Sequence, residues 1–272
     1  MMKIKIRIAV VVLIGIVSLA LTGASAQIPA GNAAGVAMGH LHLNVRDVEA
    51  NKKFFAAIGG VPLKMEPFDI VKFPDVLIFL NLLPGAPAAS GGMVGTVVDH
   101  FGFRARNLDE SVAKWKAAGL KFDLGPNPGQ AYLYTPDNVK FEVIEDKSIS
   151  VLIANYHIHF FVPEGEVAKI QAWYAKIFDA KPGTRLRNQA ADLPGVNLTF
   201  SAAPKPVVGT KGRILDHIGF EVKDLERFCK KLEAGGVKLD RPYSKTAAGL
   251  GLAFLTDPWG TYIGLNEGLD RY

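Results

Sequence analysis

The stretch Gly39-His40-Leu41-His42-Leu43-Asn44-Val45 decides how the chain folds. Its apolar and polar residues alternate, which is typical of a β-strand that buries one face. The chain has six histidines, and adding 117 to the numbers of the first three gives the numbers of the last three. They are His40, His42, His100, His157, His159 and His217. The histidines therefore mark a tandem duplication.

Each half of the chain divides again into two similar parts. The leading histidines His40 and His100 are 60 residues apart, and so are His157 and His217. A residue of a helix-capping type follows each leading histidine by seven positions: Asp47, Asn107, Glu164 and Asp224. The rest of each part is divided by Pro and Gly into three short strands. The sequence thus predicts four modules, each a strand, a helix and three strands.

Composition excludes several classes of protein. The chain has 272 residues, of which 49% are hydrophobic and 21% charged, so it can bury a full core. Its single cysteine, Cys229, excludes an intramolecular disulfide and any cysteine-rich zinc or iron–sulfur site. The formal net charge of +5 falls to +2 without the three cationic residues among the first seven. That balance argues against a nucleic-acid partner.

The N-terminus has the order of a secretory signal. Cationic residues precede the apolar run Ile8 to Leu21, and small residues ending in Ala24-Ser25-Ala26 follow. A membrane anchor is the alternative, but the uncharged stretch is short for a stable span. We expect residues 1–26 to be removed, which leaves an exported chain that begins at Gln27 and has no stable membrane anchor.

The module order, with a histidine in each first strand and the turn Asp257-Pro258-Trp259-Gly260 before the last, resembles the vicinal-oxygen-chelate superfamily. That superfamily includes glyoxalase I, extradiol dioxygenases, fosfomycin and bleomycin resistance proteins and methylmalonyl-CoA epimerase. The resemblance implies an α+β fold in which four βαβββ modules pair into two tandem domains. We expect an N-terminal tail at 27–37, paired-module domains at 38–146 and 155–268, and a linker at 147–154.

The resemblance also implies metal ligands from the first and last strands of the modules. In the first half these positions hold His40, His100 and Glu142, while the matching place in module one lies near Phe79, which cannot bind a metal. Two histidines and one carboxylate suit a divalent ion such as Fe²⁺, Mn²⁺ or Zn²⁺. Such a site leaves coordination positions for a substrate with two neighbouring oxygens.

The second half offers a poorer set of ligands. His157 and His217 stand at the first-strand positions, but Gly264 stands where the carboxylate belongs. Two imidazoles without an anion hold a divalent cation weakly. We therefore expect one bound cation, in the first half, and a metal-poor second half.

Two further residues are candidates for catalysis. Tyr132 lies ten residues before Glu142, as the tyrosine does in the extradiol dioxygenase signature, although Asn138 replaces its usual glycine. His42 lies two residues beyond His40, on the same strand face. It is either a pocket residue or part of cross-strand packing.

Two classes of function follow from these residues. The first is a metal-dependent enzyme of the lyase, isomerase or dioxygenase type that acts on a small oxygen-chelating substrate. Export argues against a glutathione-dependent glyoxalase, since glutathione, the thiol cosubstrate of such an enzyme, belongs to the cytoplasm. The second is a metal-free protein that binds and sequesters small molecules. Arg185 and Arg187 face either an anionic ligand or a solvated strand edge.

Overall fold

A computed structural model describes residues 28–82 and 93–272. The predicted signal peptide, residues 1–26, and the predicted first mature residue, Gln27, lie outside these ranges. Within the described ranges, no helix has the length and apolar character needed to cross a membrane.

The four predicted modules are confirmed. Module one contains β1 (Val36–Val45), α1 (Val48–Ala57), β2 (Val61–Met65), β3 (Phe68–Phe73) and β4 (Val76–Leu82). Module two contains β5 (Val98–Ala105), α2 (Leu108–Ala117), β6 (Lys121–Leu124), β7 (Gln130–Tyr134) and β8 (Lys140–Glu145). Module three contains β9 (Ile153–Val162), α3 (Val167–Phe178), β10 (Lys181–Arg185), β11 (Asn188–Leu193) and β12 (Val196–Ala202). Module four contains β13 (Leu215–Val222), α4 (Leu225–Ala234), β14 (Arg241–Lys245), β15 (Gly251–Thr256) and β16 (Tyr262–Glu267), and a 3₁₀ turn, Leu269–Arg271, follows it.

The helix starts follow the predicted capping residues in three modules of four. Asp47 and Asn107 precede α1 and α2, and each side chain accepts a hydrogen bond from a first-turn backbone N–H. Asp224 stands at the same position before α4 without such a bond. The prediction for Glu164 is wrong, because α3 begins only at Val167 and so starts later relative to its histidine.

The strands form two mixed sheets of eight. The first sheet has the order β14-β15-β16-β13-β1-β4-β3-β2, and the second has the order β10-β11-β12-β9-β5-β8-β7-β6. Module one therefore shares a sheet with module four, and module two with module three.

The predicted pairing of the four modules is confirmed, but each sheet joins modules from different halves of the chain and not the two modules of one half. The first strands β5 and β9 hydrogen-bond to each other in antiparallel orientation across the predicted linker, and β1 joins β13 in the same way. The boundaries 38–146, 147–154 and 155–268 stay a prediction, although β1 begins two residues before the first domain and β9 two residues before the second.

Strand alternation separates the core from the histidines. In β1, Leu41 and Leu43 are fully buried in the apolar core, while His40 and His42 lie on the opposite face. The core itself runs through all four modules. Phe73 and Phe103 contact each other at a centroid distance of 4.9 Å, which joins modules one and two.

Candidate metal centre

Each sheet gathers three histidines on one face. We call this face of the first sheet the first cup. It carries His40, His42 and His217. The second cup, on the second sheet, carries His100, His157 and His159. Within each group, one ligand nitrogen per residue lies within 4.8 Å of the others.

The two cups have the same internal register. His42 lies opposite His217, and His159 lies opposite His100. His40 and His157 therefore occupy equivalent positions, as the 117-residue repeat predicts.

A glycine makes room for one imidazole in each cup. His157 lies opposite Gly102 and His40 opposite Gly219. A Cβ atom on either glycine would overlap the imidazole ring that faces it. These glycines let the two rings lie against the neighbouring strand, so that His157 is completely buried and His40 nearly so.

The second cup holds a carboxylate, Glu142, on the strand face that carries its histidines. The Oε2 atom of Glu142 lies 3.1 Å from Nε2 of His157 and 3.8 Å from Nε2 of His100. All three side chains are buried, with 4%, 0% and 6% of their residues' surfaces exposed, respectively. Two imidazole nitrogens and a carboxylate oxygen thus converge in a buried site.

His100 is oriented by its neighbour in the chain. Its Nδ1 atom lies 2.6 Å from a carboxylate oxygen of Asp99, which favours a proton on Nδ1 and a free lone pair on Nε2. Within the described ranges, neither Nε2 of His100 nor Nε2 of His157 makes a hydrogen bond of normal geometry, although both lie near Glu142 Oε2. Buried nitrogens left in this way are suited to a metal ion, because burial without a partner is costly.

Three other side chains surround the Glu142 carboxylate. Arg185 donates from Nη2 to Oε2 at 3.1 Å. Gln130 donates to Oε1 and also to the hydroxyl of Tyr132, the latter at 3.0 Å. The predicted catalytic residue Tyr132 therefore lies beside the carboxylate, in the same cup as His100 and Glu142.

Burial and charge set the protonation of the second cup. Burial alone would raise the pKa of Glu142, but His100, His157 and Gln130 hold it well below its usual range. Burial lowers the pKa of His157 to about 4, so its imidazole is neutral. For His100, burial lowers the pKa, but Asp99 and Glu142 outweigh it and raise the pKa overall. An ionised carboxylate thus faces a neutral imidazole.

The predicted set of His40, His100 and Glu142 is not brought together. His40 lies in β1 of the first sheet, whereas His100 and Glu142 lie in β5 and β8 of the second. His157 takes the place predicted for His40, because module three and not module one completes this cup. The predicted pair of His157 and His217 is likewise divided between the two cups.

In the first cup, no carboxylate stands at the last-strand positions that match Glu142. Strand register places Phe79 and Gly264 there, as the sequence predicts, while the second cup has Glu142 and Thr199. In place of a contact with a last-strand carboxylate, the Nε2 atoms of His40 and His217 lie 3.0 Å apart and share a hydrogen bond.

The second predicted catalytic residue, His42, belongs to the first cup. Its ring stacks on His217 at 4.5 Å and on Phe79 at 5.9 Å. Burial lowers its pKa to about 3. His42 therefore does not lie beside Glu142, and the equivalent position in the second cup belongs to His159, whose Nε2 lies 2.8 Å from Ser201 Oγ.

Comparisons with known proteins agree with this fold. Residues 157–265 match the family model described as Glyoxalase/Bleomycin resistance protein/Dioxygenase superfamily. Glyoxalase I from Zea mays superposes with a TM-score of 0.69 and 17% identity, over 87% of this chain and 94% of that chain. The chain has the vicinal-oxygen-chelate fold. A putative dioxygenase from Bacillus subtilis subsp. subtilis str. 168 has a TM-score of 0.66 and 11% identity, over 91% of this chain and 87% of that chain. A comparison with curated protein sequences finds no match.

The sequence alone does not place two residues in the second cup. The sequence predicts His157 in a pair with His217, apart from Glu142, although the repeat identifies its strand position. Arg185 is buried against Glu142, whereas Arg187 is exposed. The alternation of Arg185 and Arg187 around Leu186 gave a signal for an anion-facing residue but did not distinguish it from a strand edge.

Proposed function

We propose that the second cup is the centre of a metal-dependent enzyme that acts on a small molecule through two neighbouring oxygens. The observation that carries this proposal is the convergence of His100, His157 and Glu142, with two buried imidazole nitrogens at 3.1 and 3.8 Å from one carboxylate oxygen. The fold is that of glyoxalases and dioxygenases, which supports a reaction of the lyase, isomerase or dioxygenase type.

The residues of the second cup fit a divalent ion. His100, His157 and Glu142 would hold it, and this donor set suits Fe²⁺, Mn²⁺ or Zn²⁺. When bound, the ion would polarise the substrate's chelating oxygens and stabilise negative charge on them. Glu142 would offset part of the charge of the ion, and Asp99 would keep the His100 lone pair directed toward it.

Tyr132 supplies a hydrogen-bond donor beside the same carboxylate. Burial and the nearby charge of Glu142 raise the pKa of its hydroxyl, so the phenol keeps its proton at neutral pH. A protonated phenol can donate to an oxygen of the substrate. Tyr132 would therefore orient the substrate rather than act as a base.

We also propose that the mature chain is exported and begins at Gln27. The cationic start, the apolar run Ile8 to Leu21 and the Ala24-Ser25-Ala26 site support this proposal. The intact mass of protein recovered from the exported fraction tests it. A chain that keeps Met1 and stays with the membrane would contradict it.

Metal analysis of the exported protein tests the enzyme proposal. The chain is exposed to equal amounts of Fe²⁺, Mn²⁺ and Zn²⁺, desalted and analysed for each metal. We expect about one ion per chain, and its loss in Glu142→Gln, which keeps the shape of the side chain without its charge. If the chain binds no metal, the metal-free binding protein becomes the leading function.

A further inference from the structure

Arg185 lies in an unusual position for a cation. It is the last residue of β10 and is only 8% exposed, and its Nη2 atom donates to Glu142 Oε2 at 3.1 Å. Its Nε atom is buried and has no hydrogen-bond partner within the described ranges. The guanidinium also lies over the ring of Tyr156, 5.1 Å from the centroid. Arg185 thus keeps a buried, unused donor in the second cup.

The first cup has a methionine at the equivalent place. Arg185 pairs with Asn188 at the end of the β10–β11 hairpin, and Met65 pairs with Phe68 at the end of the β2–β3 hairpin. Met65 packs in an apolar cluster with Ile70. The fold therefore accepts an apolar side chain of similar length there, and a buried arginine is a feature of the cup that contains the carboxylate.

Arg185 and the proposed metal ligands meet at one oxygen. Glu142 Oε2 lies 3.1 Å from Nη2 of Arg185 and 3.1 Å from Nε2 of His157. An ion held by Glu142 would compete with the guanidinium for that oxygen, since both are cations. A buried guanidinium that loses its carboxylate is left with an uncompensated charge, which is costly until another anion arrives.

We propose that, when a metal ion binds, Arg185 gives up its contact with Glu142 and donates to the substrate instead. The second cup then selects anionic oxygen chelators such as 2-oxo and 2-hydroxy carboxylates. This inference rests on the proposed metal site. An anion that shares the ion with Glu142 lies near the same guanidinium, which has spare N–H donors for a bidentate contact. Metal and anion then assist each other's binding, because thermodynamic coupling between two ligands is reciprocal.

Binding of oxalate, a small dianionic oxygen chelator, tests the exchange. The mature chain is loaded with Co²⁺, free ion is removed, and oxalate is titrated by calorimetry. Arg185→Met places in the second cup the residue type that the first cup holds there. We expect it to weaken oxalate binding by about 10- to 100-fold, the usual effect of losing a charge-assisted contact.

Metal affinity distinguishes this role from a structural one. Arg185→Met removes a competing cation, so Co²⁺ measured without oxalate should bind as tightly as in the parent, or more tightly. A residue needed only for packing would weaken both ligands. Arg185→Lys keeps the charge and should retain part of the oxalate affinity. Met65→Leu, a change at the matched place in the first cup, should alter neither affinity.

Three results would overturn the inference. Equal oxalate affinity in the parent and Arg185→Met, with Co²⁺ bound in both, would remove the role of Arg185 and leave the metal site intact. Loss of Co²⁺ together with oxalate in Arg185→Met, or loss of its cooperative thermal unfolding, would assign Arg185 to structure. A parent chain that binds no Co²⁺ would refute the proposed function and this inference with it.

Discussion

The side-chain amide of Asn51 donates a 2.7 Å hydrogen bond to the carboxylate of Asp137, and both residues are buried. Asn51 lies in the helix of module one, and Asp137 in the turn before the last strand of module two. Tyr174 and Asp257 make the equivalent contact between modules three and four at 3.0 Å. Neighbouring modules in sequence therefore contact each other through helices and turns, whereas each cup joins modules from both halves of the chain.

Removing the Asp137 carboxylate should destabilise the whole chain. Asp137→Ala leaves the buried Asn51 amide without this acceptor, which costs roughly 2 to 3 kcal/mol. We expect the thermal midpoint to fall by roughly 5 °C. Glu226→Ala is the control, because it removes an exposed ion pair with Lys230 and should leave the midpoint nearly unchanged. Equal midpoints for the two variants would show that the hydrogen bond between Asn51 and Asp137 does not stabilise the chain.

His157→Ala should remove the metal, and His217→Ala should not. His157 contacts Glu142 in the second cup, while His217 lies in the first. We expect His157→Ala to lower metal affinity by roughly 100-fold or more, since losing even an outer partner of a ligand costs 10- to 100-fold. His40→Ala should behave like His217→Ala. Metal titration of the three variants tests this prediction. Loss of the metal in His40→Ala would instead support the site first predicted from His40, His100 and Glu142.

The sequence predicts which residues are equivalent better than it predicts which residues meet. The repeat located the modules, the leading histidines, and Phe79 and Gly264 at the positions without a carboxylate. It could not tell whether His40 or His157 joins Glu142, because both occupy the same strand position and differ only in sheet pairing. That pairing depends on strand contacts between β5 and β9, which no local pattern of residues encodes.

The pH dependence of stability should carry a contribution from Glu221. Burial raises the pKa of its carboxyl to about 7, against the opposing effect of the backbone N–H donors of Gly268 and Leu269, and nearby Asp270 and Glu267 raise it further. The folded chain therefore keeps a proton that the unfolded chain loses at lower pH. This stabilisation is complete below the ordinary pKa of about 4.5 and is lost as the pH rises through 7.

Urea unfolding at pH 5 and pH 8 measures this contribution. The parent should lose more unfolding free energy between the two pH values than Glu221→Gln, which cannot ionise. The contribution of Glu221 to the free energy of unfolding changes by no more than about 1.4 kcal/mol per pH unit. If both proteins lose the same amount, then Glu221 is not protonated in the folded chain.

Cys229 should be inert while the chain is folded. It is buried on α4, and burial raises the pKa of its thiol to about 11, so little thiolate exists at neutral pH. We expect iodoacetamide at pH 8 to leave the native chain unmodified over an hour and to alkylate it within minutes in urea. Rapid modification of the native chain, measured by intact mass, would show that α4 opens readily.

The glycines opposite the buried histidines provide a matched test of both cups. In Gly102→Ala the new methyl group would overlap the His157 ring, and in Gly219→Ala it would overlap the His40 ring. The two changes are the same in chemistry, and each new methyl group meets one buried imidazole ring, so their effects on folding should be similar. Gly102→Ala should displace His157 and weaken metal binding severely, whereas Gly219→Ala should leave it intact. If both variants stay folded and bind the metal equally, the ion is not held by His157.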